Sequence, residues 1–112
     1  MSFRVGGYSF GGRYSIDKIG EIRDLPGLYA ILCRRGRRHY LVDVGGSDTL
    51  RSELEEHDRR DMWARNCSGS LVVTVKYTLD LEKLERAKME KKIRKQHNPP
   101  CPKQQKLADV SG

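Results

Sequence analysis

Along the chain the spacing of apolar residues changes period several times, and those changes lay out the elements. Leu28-Tyr29-Ala30-Ile31-Leu32-Cys33 and Leu71-Val72-Val73-Thr74-Val75 are short, nearly unbroken apolar runs, the pattern of strands buried on both sides. The five residues Arg34-Arg35-Gly36-Arg37-Arg38 read as a turn, with Gly36 able to take a positive φ. His39-Tyr40-Leu41-Val42-Asp43-Val44 then forms the returning strand of a hairpin. Beyond Gly45-Gly46 the spacing becomes helical. Leu50, Leu54 and His57 share one face, Arg51, Glu53, Glu55 and Glu56 the other, and Ser47 or Asp48 supplies a cap. Residues 61–64 add a short helical turn with Trp63 as a core anchor, and 66–70 form a loop. The third strand extends to Thr78. Asp80 then caps a helix running to about His97, where Asn98-Pro99-Pro100 ends it.

The first two dozen residues scatter Gly6, Gly7, Gly11 and Gly12 among Tyr8, Phe10 and Tyr14. They read as an irregular lead-in or a loose edge element. The expected organisation is therefore a lead-in over 1–24, one domain over 25–102 and a frayed tail over 103–112. The expected fold is α/β (α+β), ordered hairpin, helix, strand, helix, with a small central sheet of about three strands flanked by helices. A chain of 112 residues has room for one modest core.

Composition changes the picture in two ways. No segment has the unbroken apolar length of a membrane-spanning helix, and the first residues lack the apolar stretch of a secretion signal, so a cytoplasmic protein without a membrane partner is expected. The net charge is +7, and the positive residues are clustered. Lys83 to Lys106 holds nine Lys or Arg against only Glu85 and Glu90, and Arg34, Arg35, Arg37 and Arg38 form a second group. Concentrated patches suit a polyanion, because each neutralised phosphate releases condensed counterions. The plainer alternative is a basic domain kept dispersed by its charge. Cys33, Cys67 and Cys101 are odd in number, far apart and without a C-x-x-C pair, which predicts reduced, partly buried thiols.

Four ordered pieces carry a family resemblance. Gly27-Leu28-Tyr29 stands on the first strand, and Asp43-Val44-Gly45 on the second. Ser47, Leu50, Leu54 and His57 follow on the first helix, and Ala87-x-x-Glu90-x-x-Ile93, followed by Pro99, on the last. Together they resemble GIY-YIG nucleases over most of the chain. The resemblance implies phosphodiester hydrolysis on DNA with one Mg²⁺ or Mn²⁺ held by Glu90. Tyr29 would position or deprotonate the attacking water, and His57 would handle a proton or contact phosphate. A phosphodiester transition state needs such a cation, a positioned water and a proton shuttle. Each residue also has a plainer role. Glu90 could pair with Arg86 or Arg94 on its own helix, Tyr29 could be a half-buried strand tyrosine, and His57 a core histidine bonded to a carbonyl.

Two departures matter. Asp43 stands where the family has the second-motif tyrosine. Strand alternation places Tyr40 on the opposite side, so it is no simple substitute. Glu53 stands where the family has its catalytic arginine, and Arg51 lies roughly 200° around the helix from it. Losing an anchored donor of this kind costs about 2.7–4 kcal/mol of transition-state stabilisation. The expectation is therefore an endonuclease with impaired or altered activity. The alternative is an inactive nucleic-acid-binding module in which Arg34, Arg35, Arg37, Arg38, Arg51, Lys91, Lys92, Arg94 and Lys95 hold the backbone. Asp43, Glu53 and Glu90 could instead converge into a carboxylate metal site, or another subunit could supply the missing charge. A protein-interaction domain ranks last, since no amphipathic docking helix is evident.

Overall fold

Strand-forming residues dominate the fold because the Gly- and aromatic-rich start is itself two strands. The computed structural model describes residues 2–57 and 59–101. Ser2–Val5 (β1) and Tyr8–Ser15 (β2) form a hairpin around Gly6 and Gly7, whose φ values of 61° and 87° suit a tight reversal that glycine makes without strain. A 3-10 helix, Ile16–Glu21, leads to Gly27–Arg35 (β3) and Arg38–Ser47 (β4). Two short helices, Leu50–Glu55 (α1) and Arg60–Arg65 (α2), precede Ser70–Tyr77 (β5) and the long Lys83–His97 (α3).

All five strands lie in one antiparallel sheet, ordered β1-β2-β5-β3-β4, curled into a half-barrel. This corrects the expected fold class: the chain is mostly β with few short helices, not a sheet of about three strands flanked by helices. Residues 2–15 account for the difference. Their glycines hide the strand pattern, yet β2 pairs along β5 and so extends the sheet by two strands. The expected frayed tail lies outside the described residues.

The β3–β4 hairpin, the third strand and the terminal helix fall where apolar spacing placed them, with local adjustments. Glu82, not Asp80, caps α3, and the Glu85 carboxylate accepts the Glu82 N–H at 3.3 Å. Asn98 ends the helix in the left-handed region, with φ 45°, just before Pro99. At α1 the N-cap position is Thr49, and Asp24 reaches across to accept the Ser52 N–H and hydroxyl at 2.9 and 2.7 Å. Ser47 accepts from the Thr49 N–H, while Asp48 pairs with Arg86.

Both sheet faces are covered. One carries Tyr29, Ile31, Cys33, Val73 and Val75 beneath Ile19, Ile22, Leu50, Leu54 and Trp63. The other packs Val5, Phe10, Leu28, Ala30, Leu32, Val44 and Val72 against Ile93. Coverage on both sides explains why β3 is buried continuously from Gly27 to Cys33. The expectation of reduced cysteines is also corrected. Cys33 on β3 is joined by a disulfide to Cys67 in the loop before β5, leaving only Cys101 free and buried. Separation in sequence gives no hint of this pair, because it is the approach of β5 to β3 that brings the loop over Cys33. No described helix is long and apolar enough to cross a membrane.

Candidate functional site

A β-bulge in β4 determines what the covered face can contain. Ile31 pairs with Asp43 and Leu32 with Leu41, so Val42 is the extra residue. Strict alternation would separate Val42 and Asp43, whereas the bulge lets both join the face of Ile31 and Tyr29. It also revises the alternation argument for Tyr40. Tyr40 pairs with Cys33 and so shares the side of Asp43, although it stands near the hairpin tip, 46% exposed.

Tyr29 sits mid-strand opposite Gly45. A Cβ at residue 45 would fall on the Tyr29 hydroxyl and ring, so this glycine gives the phenol room to lie across β4. The Tyr29 hydroxyl is 2.7 Å from His57 Nε2. His57 Nδ1 accepts the Arg59 backbone N–H at 3.1 Å, so the neutral ring carries its proton on Nε2 and directs it at the phenol oxygen. Glu53 Oε2 approaches the same nitrogen at 3.8 Å. α1 ends at Glu55, which places His57 just past the helix rather than on it. Tyr29 and His57 are only 4% and 9% exposed, whereas the Glu53 side chain is 47% exposed.

Asp43 is fully buried and surrounded by donors. It accepts from Trp63 Nε1 at 2.7 Å, from Arg94 at 2.9 Å and from the Val44 N–H at 2.8 Å. The Arg59 guanidinium lies 3.5 Å away. A buried carboxylate is tolerated only when paired and hydrogen-bonded in this way. Arg94 is correspondingly committed. Besides Asp43 it donates to the Val44 and Cys101 carbonyls and to Glu90 Oε2 at 3.2 Å.

Of the expected trio, Tyr29 and His57 are in direct contact, whereas Glu90 contacts Arg94. Burial pushes the Tyr29 phenol far above its ordinary range, and the neighbouring charges of Asp43, Glu53 and Glu90 add to this against the opposing effect of Arg59. A phenol so placed donates or accepts hydrogen bonds but resists ionisation, which suits positioning a water rather than deprotonating it. Ile93 packs into the core as expected, while Ala87 is exposed. Glu90 takes its helix-pair role with Arg94.

A divalent cation held by Glu90 would need that carboxylate turned to solvent and phosphate. Instead one oxygen faces a guanidinium, and the neighbouring Asp43 oxygens are occupied by donors. Among the described residues no group of three or more His, Cys, Asp or Glu is arranged to hold a metal. As placed, Glu90 faces Arg94 and Asp43 faces Arg94 and Trp63 rather than an expected Mg²⁺ or Mn²⁺. Asp43, Glu53 and Glu90, although all three charges act on the Tyr29 phenol, are not arranged as a metal-holding group.

The expected backbone-binding cations divide into two groups. Arg34, Arg35, Arg37 and Arg38 are exposed on the hairpin tip, and Lys91, Lys92 and Lys95 on α3. The Lys92 ammonium lies 5.2 Å from the Tyr8 ring centre. Arg51 is half-buried, and Arg94 belongs to the interior. Arg59 and the indole N–H of Trp63 are site groups that sequence reasoning did not find. Arg59 sits in an ordinary charged run, and nothing local marks it as a partner of residue 43. Comparison with protein-family models, curated proteins and solved structures returned no match.

Proposed function

We propose that this chain is a nucleic-acid-binding module whose GIY-YIG-like centre is held closed by its own ion pairs. The observation that carries this reading is the separation of its charges. Four arginines of the β3–β4 tip project into solvent, whereas the acids of the centre are occupied by Arg94, Trp63 and Arg59. The exposed tip suits phosphate contact, and the occupied acids leave little for a metal to bind. DNA is the first ligand to test.

The test is affinity for duplex DNA as a function of salt. Replacing Arg34, Arg35, Arg37 and Arg38 together by Gln is expected to weaken binding at low salt by roughly tenfold or more. It should also flatten the log–log salt slope by about one unit for each phosphate that is no longer neutralised. An unchanged slope would remove the hairpin from the interface. Undetectable binding of DNA or RNA by the natural chain would end the proposal.

Metal-dependent cleavage is the second reading, favoured by the 2.7 Å contact between Tyr29 and His57 beside Glu53 and Glu90. It requires Glu90 to exchange Arg94 for a cation. Nicking of DNA with Mg²⁺ or Mn²⁺ that disappears in Glu90→Ala would establish it over the first. Cleavage appearing only in Glu53→Arg would mark the natural chain as a disabled nuclease.

A further inference from the structure

β1 and β4 stand at opposite edges of the sheet, yet its curl brings the Phe3 and His39 rings to 4.9 Å, edge-on. α3 spans the gap between those edges. It passes β4 with Arg86 beside Gly46 and reaches β1 with Ile93 against Gly6. At its last residue, His97 Nε2 accepts the Gly6 N–H at 3.1 Å. Where the helix stops, a cavity of about 140 Å³ lies between His97 and the two rings. Val5 and Leu32 are its buried floor, and Phe3, His39 and Leu41 its half-buried walls. Arg4 is exposed at the rim. Strand register agrees with this lining. Leu32 pairs with Leu41 and Arg34 with His39, so these four side chains share the sheet face that α3 covers.

His39 Nε2 is buried and has no hydrogen-bond partner among the described residues. Buried polar atoms of native proteins are nearly all paired, so an unpaired one in a cavity wall points to a ligand. Burial, and then the positive charges of Arg13 and Arg34, hold the imidazole below its ordinary range. The ring is therefore neutral near neutral pH, while the two guanidiniums beside it attract an anion. An apolar cavity of about 150 Å³ admits benzene, so this one suits a single six-membered ring better than a fused pair. A flat ring with hydrogen-bonding edges and an attached anion meets all three conditions. We propose that this cavity takes the base of a pyrimidine nucleotide, hydrogen-bonded to His39 Nε2, with its phosphate beside Arg34 and Arg13. The inference rests on the nucleic-acid reading above for the choice of a nucleotide, and shares Arg34 with it.

The probe is thymidylate, titrated into the natural chain while the Phe3 and His39 ring resonances are followed. Saturable shifts of both are expected. His39→Phe keeps a ring against Phe3 and removes the nitrogen, and Leu41→Trp fills the cavity. Exchanging an unpaired buried nitrogen for carbon does not cost stability, so the first variant retains the fold by circular dichroism even if the second does not. Each folded variant is expected to bind thymidylate roughly tenfold more weakly, and deoxyguanylate to bind the natural chain more weakly than thymidylate. No saturable shift at either ring, or unchanged affinity in the folded variants, overturns the proposal. So does benzoate that binds as tightly as thymidylate. Oligothymidylate that binds more tightly than thymidylate, and loses that advantage in His39→Phe, makes a nucleic-acid strand the source of the base. Equal affinities make the source a free nucleotide. If thymidylate fails while the hairpin substitutions still weaken duplex binding, the broader reading survives and only the pocket falls. The reverse result keeps the pocket and removes the hairpin from the interface.

Discussion

The two faces of the sheet bury similar apolar side chains from the same strands, yet they are built differently. Beneath α3, Val5, Phe10, Leu28, Ala30, Leu32, Val44, Val72 and Ile93 make an apolar layer. Beneath α1 and α2, a comparable layer is interrupted by Asp43 with its donors, by the Tyr29–His57 pair and by the Cys33–Cys67 disulfide. The first face tolerates repacking where only volume and shape must be met, its polar exceptions being Thr74, which donates to the Gly11 carbonyl, and Arg86, which pairs with Asp48. The second depends on pairwise satisfaction, where removing one partner leaves others buried and unpaired. What brings Asp43 to the second face is one extra residue, Val42, in β4.

The difference between the faces should be largest at Asp43. Asp43→Ala leaves Arg94, Arg59 and the Trp63 N–H facing a vacated site, and is expected to lose about 3–5 kcal/mol. Ala30→Val on the other face should cost less, about 1–3 kcal/mol from overpacking. Urea denaturation of both variants checks the ranking, and the reverse order would mean that Asp43 does not organise its face.

Cys67→Ser comes next. Opening a loop closed by a sequence separation of 34 residues should lower stability by about 2–4 kcal/mol. Adding a reductant to the natural chain should reproduce most of that loss, and a variant as stable as the oxidised natural chain would show that the crosslink is dispensable.

Gly45→Ala sharpens the contrast further, because the new methyl must displace the Tyr29 ring. The expected loss is about 1–3 kcal/mol, together with a shift of the His57 imidazole resonances as the 2.7 Å hydrogen bond breaks. Unmoved resonances would place the phenol elsewhere.

The smallest effect is alkaline. The Tyr29 phenol has its pKa raised in the folded state, so the stability it contributes is fully present below its ordinary value of 10.0 and is lost as pH rises above that value. Tyr29→Phe removes one hydrogen bond, worth about 1 kcal/mol at neutral pH, and should flatten the fall in stability above pH 10.0. Absorbance titration of the natural chain should show one phenol ionising only as the protein unfolds. If all five tyrosines titrate normally in the folded protein, Tyr29 is not buried as described.

Much of the fold was legible where burial repeats with a local period. β3, β4, β5 and α3 follow from apolar runs, from the arginine-flanked Gly36 turn and from Asn98-Pro99, since those signals act over a few neighbours. β1 and β2 were not, because Gly6, Gly7, Gly11 and Gly12 carry no side chain to report a face, and β2 becomes a strand by pairing with β5, far along the chain. Motif spacing singled out Tyr29 and His57, which are in contact, and Glu90, which pairs with Arg94. The partners that determine their chemistry were not.

From residue 27 onward the order of residues by itself determined most of the extended and helical segments, and along the chain where the cations concentrate, because propensity and charge are properties of neighbouring residues. Only the tertiary structure decided that Val42 bulges and carries Asp43 to the covered face, that Cys67 meets Cys33, and that Arg94 turns inward while the hairpin arginines stay exposed. Those outcomes depend on strand register and on contacts between residues distant in sequence. A buried charge takes whichever donors the completed fold brings to it.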